Sequence, residues 1–458
     1  MENKRSNFTG KLGFVLAAAG SAVGLGNLWR FPYLAARHGG GIFLLVYLIL
    51  SVTFGFSLLV AEIAIGRKTG LSAISAFGQI SKKCTFIGYL AALVPALILP
   101  YYSVIGGWVF KYLTAFVSGN TAAAAEDGYF EAFIGNAWQS IFFFALFIGI
   151  TALVVLFGVE KGIEKVSKIM MPILIVLSIG IAAFVCVSSA VRGEWDGILY
   201  YIKPEFSNFS IMTVVAAMGQ LFYSMSIAMG IMITYGSYMK KDVNLESSVH
   251  QIEFFDTGIA FLAGLMIVPS VVSYSGIEGL NKGPGLMFIT LPKVFNDMGP
   301  ILGTVIGAVF FLLVFFAALI SSISLMETVV SIIQDKFRIE RKLTCLVVFC
   351  GSLIIGLPSA LGFGVWSGIT PLGMDILTFF DFATNSVLMP IVAFLTCIII
   401  CYVMKPKGII DEVSVTGEFK LAWLFKTMIY VAPILLLVIL SFSIFEAFDI
   451  TFGGFLEF

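Results

Sequence analysis

GSAVGLGNLWRFP, Gly20 to Pro32, interrupts an apolar run that begins at Leu12. The run is long enough to form a membrane helix, yet its middle carries Gly20, Gly24, Gly26 and Asn27, with Arg30 just beyond. Taken over residues 12–36, such a helix would rise about 37 Å, which puts Gly24 at the bilayer midplane. Backbone left unpaired at that depth must line a cavity or bind something. Gly20 and Gly24 also read as G-x-x-x-G, a helix-packing surface. That reading leaves Gly26, Asn27 and Arg30 without a purpose. A dinucleotide-binding loop would need a preceding strand, and the sequence offers none there.

The rest of the chain agrees with a membrane setting. Of 458 residues, 59% are hydrophobic and 12% charged, about half the charged share of an ordinary soluble domain. Apolar runs of spanning length recur. The fold class is therefore all-α and polytopic, one integral domain. Zero formal net charge implies no nucleic-acid partner. The six cysteines lie in or beside apolar runs without C-x-x-C spacing and read as packing residues. Two histidines make no His-rich metal motif. Lys4, Arg5 and Lys11 followed by Leu12–Ala19 resemble a signal peptide, but the apolar run continues to Leu28, so the first span is expected to be retained.

Eleven spans are expected, at about 12–36, 41–69, 84–113, 138–158, 166–191, 208–239, 250–274, 298–333, 343–359, 374–404 and 420–446. Most of the 27 Lys and Arg fall on alternate loops: before span 1, between spans 2 and 3, 4 and 5, 6 and 7, 8 and 9, and around the last loop. The positive-inside rule then places the N-terminus in the cytoplasm and, with an odd number of spans, the C-terminus outside. The location is a cell (inner or plasma) membrane. Two outer loops, 118–136 and 276–295, are candidate lids, the second with a short amphipathic helix.

Span 6 offers a counterpart to span 1. GQLFYSMSIAMGIMITYGSY, Gly219 to Tyr238, has Gln220, Ser224, Ser226 and Gly230 around its midpoint. It opens a second group of five spans as span 1 opens the first, and five is odd, so the groups would be inverted. Interrupted helices at matching places in inverted repeats point to a transporter's binding site. The organisation expected is a cytoplasmic segment 1–11, a first repeat 12–191, a second repeat 208–404, and 405–458 with the last span and a short extracellular tail.

These residues resemble the neurotransmitter:sodium symporters, in particular small prokaryotic LeuT-like amino-acid transporters, over residues 1 to about 446. GSAVGLGNLWRFP with GGGIFLLVYL carries the likeness most specifically, supported by PYYSVIGGW, GQLFYSMS, ITYGSY, GPGLMFITLP and FFAALISSISL. The resemblance implies the LeuT-type five-plus-five inverted repeat, with helices 1 and 6 unwound at mid-membrane. It also implies sodium-coupled uptake of an amino acid by alternating access, with no enzymatic activity.

The chemistry fits a zwitterion. A half-helix resuming after the first break exposes N–H groups at Leu25 and Gly26 to a carboxylate, and Tyr102 adds a hydroxyl. The ammonium would meet carbonyls near Ala22 and in span 6 around Tyr223, Ser224 and Ser226. By the same correspondence Ile98, Met229, Leu325 and Tyr223 line the side-chain pocket, with Ser321 nearby. None is charged, so the substrate is expected to be a neutral hydrophobic or aromatic L-amino acid. The resemblance places a first sodium on Ala22, Asn27, Ser224, Asp256 and the substrate carboxylate, and a second on Gly20, Val23, Ala317 and Ser321. Ile320 stands where relatives often supply a hydroxyl or carboxylate, so one or two ions are expected.

Asp256 is an intramembrane carboxylate, rare and usually functional. It stands where many relatives have asparagine and require chloride, so no chloride requirement is expected, and an emptied site would tend to bind a proton. Arg30 and Asp381 resemble the outer gate, and Arg5 and Asp335 the inner one, with Phe8, Ser237 and Tyr238 around it. Glu62 is a buried acid expected to accept hydrogen bonds from the unwound segments. The alternatives are a channel, an amino-acid sensor, or another cation-coupled carrier of the LeuT fold. An intramembrane enzyme lacks support: there is no H-E-x-x-H.

Overall fold

The computed structural model describes residues 7–276 and 285–447. Among these the chain is helical, with one isolated β-bridge between Gly40 and Pro204. The first helix comes as a bent pair, α1 (Lys11–Ala22) and α2 (Gly26–Arg37), at 46° to each other. Then follow α3 (Gly41–Thr69), α4 (Lys82–Val117), α5 (Ala137–Leu156) and α6 (Val159–Arg192). The second half holds α7 (Ile211–Ser224), α8 (Ile231–Ser237), α9 (Leu245–Tyr274), α10 (Leu302–Phe337), α11 (Arg341–Leu361), α12 (Ile376–Thr416) and α13 (Ala422–Phe445).

Among the described residues nine helices are long and apolar enough to cross a membrane, and ten if the bent pair is one span. The eleventh expected crossing, 208–239, divides into α7 and α8 of 14 and 7 residues, each too short to span by itself. Its composition explains the division. Ser226, Ala228 and Gly230 all adopt left-handed φ, at 54°, 63° and 68°. Only glycine does so without steric cost; each of the other two costs roughly 1–2 kcal/mol.

Glycines bring the helices together. At Gly66 of α3 a β-carbon would strike the carbonyl of Ile233, and at Gly236 of α8 that of Ile63. The two helices therefore interlock through reciprocal bare Cα atoms, close packing that lipid-immersed helices use in place of a hydrophobic drive. At Gly107 of α4 an added β-carbon would sit 2.7 Å from the Phe144 nitrogen of α5. The two 36-residue helices α4 and α10 pack along each other and wall one side of both breaks.

The loop 118–136 contains two short helices, Thr121–Ala124 and Tyr129–Gly135. Of the other candidate lid, residues 277–284 lie outside the described residues. The remainder is helical from Leu286 to Asp297, and it buries Leu286, Phe288, Leu291 and Phe295. Lys293 pairs with Asp127, and Tyr112 of α4 donates to the Phe288 carbonyl at 2.7 Å. The two loops are thereby tied to each other and to α4.

Candidate substrate and cation site

The chain leaves helical geometry at Val23, with φ −77° and ψ 94°. Its N–H still reaches the Ala19 carbonyl at 2.7 Å, but the last carbonyls of α1 lose their partners in the helix. The Ser321 hydroxyl of α10 stands 3.4 Å from the Gly20 carbonyl, 3.1 Å from Ser21 and 3.4 Å from Val23. One hydroxyl has one proton to give, so these oxygens keep surplus acceptor capacity, which suits a hard cation. Three of the four groups expected at the second sodium site, Gly20, Val23 and Ser321, are thus brought together. Ala317, the fourth, is buried one turn before Ser321. The Ser21 carbonyl joins them unannounced. Ile320 packs its γ-methyl toward Gly20, 2.6 Å from where a β-carbon would stand.

A second oxygen cluster forms where α2 starts. The Asn27 amide nitrogen donates to Asp256 Oδ1 at 2.7 Å and to the Asp256 carbonyl at 3.0 Å. Asn27 Oδ1 accepts the Gly24 N–H at 3.2 Å. Ser224, the last residue of α7, donates to Asp256 Oδ2 at 3.3 Å. Tyr47 of α3 donates to the same oxygen at 2.9 Å and lies 2.7 Å from the Ser224 hydroxyl. Asn27 and Asp256 are fully buried. Of the expected first sodium site, Asn27, Ser224 and Asp256 meet, and Ala22 ends the adjoining helix. The sequence reading passed over Tyr47; its signal was a hydroxyl inside the apolar run GGGIFLLVYL.

Between the clusters lies a cavity lined by Ala22, Leu25, Gly26, Ile98, Tyr102, Tyr223, Ser226, Met229, Ser321 and Leu325, with Ser21, Gly24 and Ile231. All the expected substrate residues are present except Ser224, whose hydroxyl turns to Asp256 and Tyr47 instead. Its void is about 20 Å³, room for about one water molecule, so a larger ligand enters only if side chains move. The lining differs in polarity between its two ends. Leu25 N–H reaches the Tyr102 hydroxyl at 3.3 Å, marking the exposed N-terminus of α2 at one end. Ile98, Met229 and Leu325 make the other end apolar.

The two breaks are stapled to each other. Ser226 donates to the Ser21 carbonyl at 3.0 Å, and Gln220 donates to the Gly26 carbonyl at 2.8 Å. Glu62 of α3 accepts the Ala228 N–H at 2.7 Å, holding a residue whose φ is unfavourable.

Tyr223 separates this cavity from a second one, lined by Trp29, Arg30, Tyr33, Ile105, Tyr223, Leu377, Thr378 and Asp381. Arg30 and Asp381 share that space but form no ion pair within it. The Arg30 guanidinium lies 5.4 Å from the Tyr223 ring centre, while Asp381 accepts from Tyr101 at 3.2 Å and Asn385 at 2.6 Å. The cavity that both line has a volume of about 180 Å³. At the opposite end Arg5 lies outside the described residues. Asp335 accepts from the Ser72 N–H at 2.7 Å and the Ser72 hydroxyl at 2.6 Å. Phe8 packs on Tyr235 and Tyr238 and donates to the Tyr238 carbonyl. At the same end the sequence reading missed a pair between half-buried Arg341 and buried Glu327, and Tyr238 donates to Glu327 at 2.8 Å.

This architecture is shared. The chain is 34% identical to MhsT, solved in complex with L-phenylalanine; the match has a TM-score of 0.87 and covers 96% of this chain and 99% of that one. An uncharacterized sodium-dependent transporter of Haemophilus influenzae is 33% identical, over 96% of this chain and 99% of its own length. The Bacillus subtilis sodium-dependent transporter YhdH is also 33% identical, over 96% and 97%. A sodium- and chloride-dependent taurine transporter from dog is 25% identical, over 98% and 80%. The model of the sodium:neurotransmitter symporter family matches residues 5–127 and 133–456. With its broken first helix, clustered oxygens and near-complete coverage, this chain belongs to the sodium:neurotransmitter symporter family, whose members are sodium-coupled membrane transporters and not enzymes.

Proposed function

We propose that the protein carries a neutral hydrophobic or aromatic L-amino acid into the cytoplasm together with one or two sodium ions, without chloride. The observation that carries this reading is the Asn27–Ser224–Asp256 cluster beside a cavity that is polar at one end and apolar at the other. The α-carboxylate faces the Leu25 and Gly26 N–H groups and the Tyr102 hydroxyl. The ammonium faces carbonyls near Ala22 and Ser226. Ile98, Met229, Leu325 and the Tyr223 ring take the side chain; unbranched Met229 yields to different shapes. MhsT binding L-phenylalanine supports the substrate class.

Sodium is cargo here. The first ion replaces donors that Asp256 now accepts: the Asn27 amide turns to present Oδ1, and Ser224 keeps its lone pairs for the metal. The carboxylate supplies a fixed negative charge beside the first ion, in place of the chloride on which the taurine transporter depends. The second ion takes the Gly20, Val23 and Ala317 carbonyls with Ser321; Ile320 adds no oxygen there. The two groups of five spans rock against each other about the site, with Tyr223, Arg30 and Asp381 closing the outer path and Arg5 and Asp335 the inner. The lysine-rich face, with the N-terminus, is cytoplasmic.

Uptake into proteoliposomes under an imposed sodium gradient, screened over the common amino acids, tests the reading. Leucine, phenylalanine, tyrosine or tryptophan should accumulate. Arginine or glutamate competing as well as tryptophan would refute the substrate class, and a large loss on exchanging chloride for gluconate would refute chloride independence.

A further inference from the structure

α9 carries a graded column of titratable side chains. His250, near its lysine-rich end, is 47% exposed; Glu253, three residues on, is 6% exposed; Asp256, three further, is fully buried. On a helix such neighbours stand about 5–6 Å apart at Cβ. His250 Nδ1 lies 3.2 Å from Glu253 Oε2. The Phe56 ring stacks on the imidazole at 4.8 Å and 14°, which fixes the ring. The other carboxylate oxygen, Glu253 Oε1, is buried and has no hydrogen-bond partner. A buried acid with one orphan oxygen is costly to keep, and intramembrane acids in line with a histidine are the usual material of proton paths.

We propose that His250 and Glu253 form a proton-binding site, open to the cytoplasmic face, whose occupancy is linked to sodium at Asp256. The proposal rests on the sodium-site reading above. In the loading step, imidazolium breaks its Nδ1–H bond as an O–H bond forms on Glu253 Oε2. The imidazole keeps its Nε2–H, and the net change is one proton moved from cytoplasmic water to Glu253. The carboxylate loses its charge. An ionised Glu253 adds its field to that of Asp256 and favours sodium; a protonated one does not. Proton and sodium therefore oppose each other, and linkage makes the effect reciprocal. Acid on the cytoplasmic side would help sodium leave.

No other charged group holds Glu253 in place. On α9, Glu246 lies at the helix start and accepts the Lys420 and Leu421 N–H groups. α1 brings Lys11, bound to Ser247 at 2.8 Å. α3 brings Tyr47, which donates to Asp256; Glu62, which accepts the Ala228 N–H; Arg67, paired with Glu412; and Lys68, which donates to the Gly408 carbonyl. α6 brings Lys165 and Lys168, the latter paired with Glu164 at 2.6 Å, and Cys186. At the far end of α9 stand Arg30 and Arg37 of α2, and Tyr200 and Tyr201 of the short helix Asp196–Ile202. Among the described residues only His250 hydrogen-bonds Glu253.

The test uses the purified full chain and two readouts: protons released into weakly buffered solution on adding sodium chloride against potassium chloride, and sodium half-saturation by intrinsic tryptophan fluorescence. The wild type should release protons with sodium only. Its half-saturation should rise about fivefold from about pH 8 to about pH 6. Glu253→Gln should lose most of the release and the pH dependence. A wild type with neither response, or a Glu253→Gln protein with both intact, overturns the proposal. His250→Gln leaves both carboxylates and should slow release in stopped flow; an unchanged rate overturns the relay even if Glu253→Gln does not fold. Asp256→Asn separates the readings: if it leaves sodium half-saturation unchanged, the sodium-site reading fails, whereas a normal Asp256 effect with an inert Glu253→Gln sinks this inference alone.

Discussion

The Asn27 side chain grips Asp256 twice, donating to Oδ1 at 2.7 Å and to the backbone carbonyl at 3.0 Å. The first residues of α2 are thereby tied to the middle of α9, so whatever displaces the amide also frees α2. Replacing Asp256 by Asn removes the fixed charge and keeps the shape. Sodium half-saturation of uptake is expected to rise at least about tenfold, the effect of roughly 1.4 kcal/mol, and chloride should now stimulate the variant. Uptake in chloride and gluconate media measures both.

Ser321 places its hydroxyl within 3.4 Å of the Gly20, Ser21 and Val23 carbonyls. Ser321→Ala should weaken sodium activation, by about fivefold for one lost ligand worth about 1 kcal/mol. Ile320→Thr, which adds a hydroxyl beside Gly20, should strengthen it. Sodium titrations of substrate binding check both directions.

Gly24 has no room for a methyl group: a β-carbon would stand 2.5 Å from the Ser321 hydroxyl and 3.1 Å from that of Tyr102. Gly26 is closed by the Tyr223 ring at 2.6 Å. Gly24→Ala should disturb the oxygen cluster around Ser321 and the Tyr102 end of the cavity together, lowering affinity for both sodium and substrate. Gly26→Ala should push Tyr223 aside and weaken substrate more than sodium. Equilibrium binding of labelled phenylalanine across a sodium series distinguishes the two patterns.

Glu62 holds the Ala228 N–H while Ala228 sits at φ 63°. Glu62→Ala should cost about 1–3 kcal/mol by orphaning a buried donor, seen as a lower melting temperature in detergent. Glu62→Gln keeps an acceptor and should lose less. Ala228→Gly, which relieves the backbone strain, should recover part of the loss.

The sequence made the break in the first helix legible because Gly26, Asn27 and Arg30 meet no packing need of a membrane helix, whereas Gly20 and Gly24 alone would read as a packing surface. Span 6 was legible for the same reason, and its hydroxyls led to Ser224 and Ser226. Less could be read where the feature depends on distance across the fold. Tyr47 looks like one more aromatic until α3 brings it to Asp256. Arg341 and Glu327 are 14 residues apart on different helices, and their pairing needs the turn between α10 and α11. Arg30 and Asp381 line one cavity without the ion pair that the resemblance implied, because a distance across the fold is not encoded in composition. Ser224 shows the same limit at smaller scale: its position was readable, the direction of its hydroxyl was not.

Sodium coupling is the central claim, and radiolabelled phenylalanine uptake into proteoliposomes tests it most directly. Vesicles loaded with potassium and diluted into sodium medium should concentrate the amino acid above its external level, and collapsing the sodium gradient should release it. Equal accumulation in potassium-only medium would contradict sodium coupling.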